Sequence, residues 1–304
     1  MTFAELAKVY AERKLIPAVY AGEGEYRRRV AGLRSHKSPH GFLRVLVENF
    51  GRRRVRSISH ADVEAFKLLR LQTPRQRDGR PRSIAAVNRE LEMLRAVLRY
   101  AAREGWLLRS PFEQGAPLIE KASEVKRERV LTHEEEAQLL AVCTGRREHL
   151  RALIVCALDT AMRRGEMFAL RWRDVDLPAG LIRVRATTTK TERARTPGIT
   201  PRLREALEEL KAYAPSDPDG LVFGITYTVK NGFQSACKAA SVSGFRLHDC
   251  RHTAITRMIE AGMPPAAVMK ISGHTQMTTF ARYVNPNADA SRRGAEMLAA
   301  FNRV

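Results

Sequence analysis

The sequence predicts a mainly α-helical protein with a small β-sheet, divided into two domains. Three observations carry this. Ile84, Val87, Leu91, Leu94, Leu98 and Ala101 recur at three- and four-residue steps and give one buried stripe on a helix over about 84–104. Residues 112–128 lose that periodicity and become charged, which marks a linker. Beyond it, helical patterns are interrupted by Leu181-Ile182-Arg183-Val184-Arg185, which alternates as a strand. The polar stretch 187–195 then reads as a hairpin turn into a second strand near 196–199.

In chain order, Phe3, Leu6 and Tyr10 fall at helical spacing and predict a short helix over 3–14. Helical pieces are expected around 25–34 and 40–49, broken by Gly51 and the run Arg52-Arg53-Arg54. Ser59 caps a helix over about 60–70, with Asp62 and Glu64 in the first turn, where carboxylates meet its partial positive charge. Residues 73–82 form a loop by their Pro and Gly content, and their four arginines suit a polyanion as well as solvent. Ser83 opens the long helix, Gly105 ends it, and Ser110-Pro111 stops the chain that packs back. After the linker, Thr132 and Glu135 fit a capping box for a helix to about 142. A helix over about 147–160 is rich in Leu, Ile, Val and Ala and is therefore buried. Further helices are expected at 201–213, 228–240, 248–261, 264–271, 275–284 and 289–302, with Pro264-Pro265 starting the fourth of them.

Charge narrows the classes of function. The 53 basic and 33 acidic residues give +20. Of these, 27 basic and 15 acidic residues lie in 1–128 (+12), leaving 26 and 18 in 129–304 (+8). A basic surface over both domains suits a polyanion gripped from two sides. From charge alone, a ribosome- or membrane-associated basic protein is the alternative. No run of about 18 apolar residues occurs, so no membrane span is expected. The N-terminus lacks a signal-peptide pattern, which points to the cytoplasm. Cys143, Cys156, Cys237 and Cys250 form no CxxC pair and are expected to be reduced, buried thiols.

Four boxes hold residues of chemical interest. The first, Thr160-Ala161-Met162-Arg163-Arg164-Gly165-Glu166, has an arginine in a turn; alone it reads as a surface charge. The second is Thr189-Lys190-Thr191, in the hairpin, where a lysine alone reads as solvated. In the third, His248-Asp249-Cys250-Arg251-His252, a helix beginning near His248 puts Arg251 one turn on, on roughly the same face. Its N-terminus offers unpaired N–H groups to a phosphate. The His-x-x-x-His spacing also suits zinc. Asp249 replaces the glutamate of that motif, however, and the Arg251 cation opposes a metal, so none is expected. The fourth box is Ser272-Gly273-His274, then Thr278-Thr279 and Arg282-Tyr283, with Asn285-Pro286 ending the helix. A tyrosine there, alone, reads as half-buried packing.

In this order and spacing the boxes resemble those of the tyrosine recombinases of the phage-integrase family, most specifically from about 130 to 285. A softer likeness, Asn88-Arg89-Glu90-Leu91, resembles the family's helical core-binding domain. The resemblance implies a SAM-like core-binding domain over 1–116, a linker over 117–128, and a mixed α/β catalytic domain over 129–304 with a C-terminal exchange helix. It implies Arg163, Lys190, His248, Arg251 and His274 as catalytic residues and Tyr283 as nucleophile. Glu166 matches the family's acidic residue and His252 a structural one. Ala161 departs from a common Gly, and Cys250 from the usual Leu. The chain begins almost directly with the core-binding region, so a separate arm-binding domain is expected to be absent.

A free phenol titrates near 10, so a tyrosine nucleophile needs help at neutral pH. In the implied chemistry, Arg163 and Arg251 clamp the non-bridging oxygens of a phosphodiester and stabilise its pentacovalent state. His248 accepts the phenolic proton, His274 donates to the phosphate, and Lys190 protonates the departing 5′ oxygen. Tyr283 becomes joined to a 3′ phosphate. The phosphodiester energy is kept, so no cofactor is expected, and the chain has no Gly-x-x-x-x-Gly-Lys-[Ser/Thr] loop. The expected function is site-specific recombination of the integrase/excisionase type. Expected partners are double-stranded DNA with a recombination site, three further copies of the chain in a homotetramer on synapsed DNA, and an accessory directionality factor. Alternatives are a chromosome-dimer resolvase of the same family, a type IB topoisomerase-like enzyme, and a DNA-binding regulator with an inactive site. A serine recombinase is disfavoured, because the first serine is Ser35.

Overall fold

The computed structural model describes residues 1–22, 28–35, 37–76, 78–125, 127–186, 193–213, 217–284 and 288–302. It divides into two units, Met1–Arg127 and Glu128–Val304.

The first unit contains α1 (Phe3–Lys14), the strands β1 (Val19–Ala21) and β2 (Arg28–Ala31), and the helices α2 (Lys37–Phe50), α3 (His60–Gln72) and α4 (Ile84–Arg103). Helices α1 and α3 start on capping boxes, Thr2 with Glu5 and Ser59 with Asp62, which satisfy donors a helix start leaves open. The stripe on α4 is the middle of the core: Val87, Leu91, Leu94, Val97 and Leu98 are fully buried. Around it pack α1, α2 and α3. Phe50 links two of these helices, with ring centroids 5.9 Å from Phe3 and 5.2 Å from Phe66.

Asn88 is a polar residue inside this core. Its amide donates to the Glu120 carbonyl at 3.0 Å and to Glu124 Oε1 at 2.9 Å, while its Oδ1 accepts from the Glu120 N–H at 3.3 Å. Leu118 is buried in the same core. Part of the stretch expected as linker, 118–124, is therefore packed onto the first unit.

Residues 28–34 do not form part of the helix expected over 25–34, of which 25–27 lie outside the described residues. Their strand, β2, forms an antiparallel hairpin with β1, in which Tyr20 faces Arg29 and Ala21 faces Arg28. Gly32 explains the change: it has φ +72°, and a Cβ there would lie 2.0 Å from the Pro17 carbonyl oxygen. A helix with a side chain at this position cannot approach Pro17 so closely.

The second unit contains α5 (His133–Ala141), α6 (His149–Thr160), α7 (Arg164–Phe168), β3 (Val175–Asp176), β4 (Leu181–Ile182) and α8 (Pro201–Ala212). It continues with α9 (Lys230–Ala239), α10 (Leu247–Glu260), α11 (Pro265–Ser272), α12 (Met277–Phe280) and α13 (Ala288–Phe301). Helix α6 is apolar and buried from Ala152 to Leu158 and packs against α8 and α10. Strands β3 and β4 pair antiparallel, and bridges from Leu181 to Gly198 and Val184 to Arg195 add the returning side of the hairpin. An ion network pins α10 to the rest. Buried Glu136 on α5 accepts from Arg202 on α8 and Arg257 on α10, and Arg202 also holds Asp159 on α6. All four cysteines are buried and unpaired. The helix expected over 275–284 instead ends at Phe280 and tightens into a 3-10 turn, Ala281–Tyr283. No helix among the described residues is long and apolar enough to cross a membrane.

Removing the Asn88 side chain leaves the Glu120 backbone groups without their buried partner. Asn88→Ala is expected to cost about 2 kcal/mol in urea unfolding, and a loss below about 0.5 kcal/mol contradicts this packing.

Candidate active site

The site begins where α6 stops. Ala161 turns the chain in the left-handed region, φ 53° and ψ 23°, at roughly 1 kcal/mol for a residue with a Cβ. Its methyl is buried in a small cluster with Ala254, Ile255, Val268 and Phe280, which offsets part of that cost. The turn aims the Ala161 carbonyl at α10, where it accepts from Arg251 Nη1 at 2.6 Å. Arg163 then caps α7. Its N–H donates to Glu166 Oε2 at 2.8 Å and its guanidinium to Glu166 Oε1 at 3.0 Å and the Gly273 carbonyl at 3.1 Å.

Glu166 is buried, and a second guanidinium grips it. Arg195 donates Nη1 to Oε1 at 3.1 Å and Nη2 to Oε2, while its Nε donates to the Ile271 carbonyl at 2.7 Å. Burial works to raise the Glu166 carboxyl, but Arg195 and then Arg163 hold it below the ordinary carboxylate range.

Arg251 is buried in the first turns of α10. Burial, then the Arg163 cation, push its guanidinium down to about 9. Its Nη2 lies 3.5 Å from His274 Nδ1, and Ser272 Oγ lies 2.8 Å from the same nitrogen. A guanidinium only donates, so Nδ1 accepts and the His274 proton sits on Nε2, an assignment made from these contacts. Burial and Arg251 push His274 down to about 4, which makes its ring neutral at pH 7. His248, partly open to solvent on α10, is held below the ordinary imidazole range by burial of part of its ring and by Arg251.

Tyr283 sits in the 3-10 turn behind Phe280, which is fully buried and anchors it at 5.4 Å between centroids. Its Oη accepts from Arg282 Nη2 at 3.0 Å, and the Arg282 guanidinium lies over its ring at 4.9 Å. The His252 ring stands 4.8 Å away and the His274 ring 5.9 Å. Arg282 also donates to His252 Nδ1 at 3.3 Å, and burial followed by Arg282 lowers His252 from its ordinary value.

Arg163, Arg251, His274 and Tyr283 are thus brought together, with His248 close enough to feel Arg251, Arg282 and Arg163. Lys190 and Asn285-Pro286 lie outside the described residues. Sequence reasoning missed two residues, Arg195 and Arg282, and did not foresee that His252 packs on the tyrosine. The signal for Arg282 was its place beside Tyr283; Arg195 had none beyond being basic. Four guanidiniums share this region with Glu166 as the carboxylate between two of them, an excess of positive charge suited to an anion. Among the described residues, no group of three or more His, Cys, Asp or Glu side chains could hold a metal ion.

Comparison with known proteins follows this geometry. A model of the phage integrase family matches residues 129–290. The shufflon-specific DNA recombinase of Escherichia coli is 30% identical over 260 residues, covering 82% of this chain and 65% of that protein. The integrase of Salmonella phage P22 is 25% identical over 222 residues, covering 68% of this chain and 55% of that protein. The chain therefore spans 55 to 65% of the length of these relatives. Among solved structures, the Tn1549 transposon integrase in complex with a circular intermediate DNA has a TM-score of 0.74 at 20% identity, covering 98% of this chain and 99% of that one. A lambda integrase dimer bound to a core site has a TM-score of 0.67 at 18% identity, covering 95% and 97%. These two likenesses establish the fold.

The His274 shift has a pH consequence. The folded ring stays neutral to about 4 while an unfolded one protonates near 6.5, so its contribution is present above 6.5 and lost as pH falls through that window. Thermal melts between those pH values should show a shallower acid loss in His274→Gln than in the parent chain; parallel curves contradict the assignment.

Proposed function

The chain belongs to the phage integrase family, and from that membership we propose that it is a site-specific DNA recombinase working through a covalent 3′-phosphotyrosine link. The observation that carries the proposal is one cluster holding two immobilised guanidiniums, Arg163 and Arg251, a neutral His274 that donates from Nε2, and the phenol of Tyr283. Arg163 and Arg251 take the non-bridging oxygens of one phosphodiester, and His274 adds a hydrogen bond. The phenol oxygen attacks phosphorus as its proton passes to His248. The P–O5′ bond breaks, and Lys190 gives the leaving oxygen a proton. Because the donors are fixed before the reaction, charge developing on the phosphate is met without reorganisation.

The partner is duplex DNA carrying a recombination site. The +20 charge supports it, as do the DNA complexes of the Tn1549 and lambda integrases of similar fold. The first unit acts as the core-binding half and the second as the catalytic half. An element-borne role is favoured over chromosome-dimer resolution. The shufflon-specific relative, at 30% over 260 residues, supports that role; the P22 integrase at 25% and a XerC-like recombinase of Caldanaerobacter subterraneus at 26% do not separate the two. The four-protomer assembly rests on α13, where Met297, Leu298 and Phe301 are 74, 60 and 78% exposed, an apolar stripe that docks onto a neighbouring protomer. A directionality factor sets integration against excision.

The test starts from duplexes selected from a random pool for binding to the protein. A nicked copy of a selected duplex, incubated with the chain and a chelator, is expected to give a protein–DNA adduct on a denaturing gel, absent with Tyr283→Phe. Tight binding with no adduct favours a DNA-binding regulator instead.

A further inference from the structure

We propose that Arg195 is a positioning residue for the strand-transfer reaction, the clamp that sets Arg163 against the loop carrying His274. The inference rests on the recombinase reading above. Three segments distant in sequence meet at this one side chain. Its two terminal nitrogens close on both oxygens of Glu166, the carboxylate that also holds Arg163 by its backbone and its guanidinium. Its Nε holds the Ile271 carbonyl, three residues before His274. Gly273 completes the ring. Its carbonyl accepts from Arg163, it has φ +73°, and a Cβ there would stand 3.2 Å from Arg195 Nη1. Arg163, Glu166, Arg195 and Gly273 therefore form a closed loop of contacts in which no member shifts alone.

Arg195 does this while nearly out of reach of solvent. Its side chain is 6% exposed and that of Glu166 1%. A guanidinium so enclosed, with three of its five N–H donors on a carboxylate and a carbonyl, is placed to hold Glu166 rather than to present its fork to a phosphate. It also sits on the returning side of the hairpin, bridged to Val184, so the same clamp indexes that hairpin to the Arg163 turn. Only a planar fork supplies two parallel donors to the carboxylate and a third to the side; a lysine keeps the charge but not the geometry.

The experiment compares the parent chain with Arg195→Lys, Arg195→Gln and Glu166→Gln in single-turnover adduct formation on the selected nicked duplex, reading rate constant and amplitude separately. Misfolding lowers the amplitude; misplacement of Arg163 lowers the rate constant. The expected result is a rate constant reduced about 100-fold in Arg195→Gln, as for a displacement near 1 Å. DNA affinity should stay within about 3-fold, because the contact that is displaced is to one phosphate among the many that hold a duplex. Arg195→Lys should stay slow, and the double variant with Glu166→Gln should be no slower than the slower single one, since both act along one path. A full rate constant in Arg195→Lys overturns the clamp in favour of a role of charge alone. A loss confined to amplitude overturns it in favour of stability alone. An adduct from the parent chain with an unchanged Arg195→Gln rate overturns this inference and leaves the recombinase reading standing. No adduct from the parent chain overturns both.

Discussion

The Glu166 carboxylate, buried at the start of α7, reconciles the charges of the site, because Arg163 and Arg195 both donate to it from different parts of the chain. Taking such charges out of water is costly, and they are tolerated only where hydrogen bonds complete the set. Here the carboxylate receives two guanidiniums and the Arg163 N–H, and one further donor of each guanidinium goes to the Ile271 or the Gly273 carbonyl. Without it, two like charges would face each other in a poorly screened place. With it, the Arg163 side chain is fixed yet still 23% exposed on its outer side.

Arg251 is treated differently. Its guanidinium meets a carbonyl and an imidazole nitrogen, neither of which carries a full negative charge. Burial, and then a positive potential that stays uncancelled, lower Arg251 to about 9 and His274 to about 4. An anionic phosphate placed there relieves the repulsion, so the energy for holding the guanidiniums together returns when the anion binds. Tyr283 stands at the rim of this field, its oxygen held by Arg282 and its ring by His252, His274 and Phe280.

Much of this was legible in the sequence. Helix α4 announced itself by a six-residue apolar stripe, and the cap at Ser59 and the capping box at Thr132 fixed where α3 and α5 start. Over 28–34 the expected helix is absent because helical spacing there is a weak signal, whereas the close approach of Gly32 to Pro17 is a tertiary fact. At the site, Arg163, His248, Arg251, His274 and Tyr283 were singled out because their boxes follow one another in order. Arg195 was invisible for a physical reason. A lone arginine in a polar hairpin looks solvated until the fold brings Glu166 and Ile271 to it. Ala161 was seen as a departure from Gly, but its positive φ and the use of its carbonyl by Arg251 belong to the three-dimensional arrangement.

The central claim is that this field serves the oxygen of one tyrosine attacking one side of a phosphodiester. It is tested most directly by digesting a purified adduct with nuclease and protease and sequencing the nucleotide-bearing peptide by mass spectrometry. The account predicts the nucleotide on Tyr283, joined through its 3′ phosphate, with a free 5′ hydroxyl on the released strand. A nucleotide on another residue, such as the exposed Tyr213 or Tyr227, or one joined through its 5′ phosphate, would contradict it.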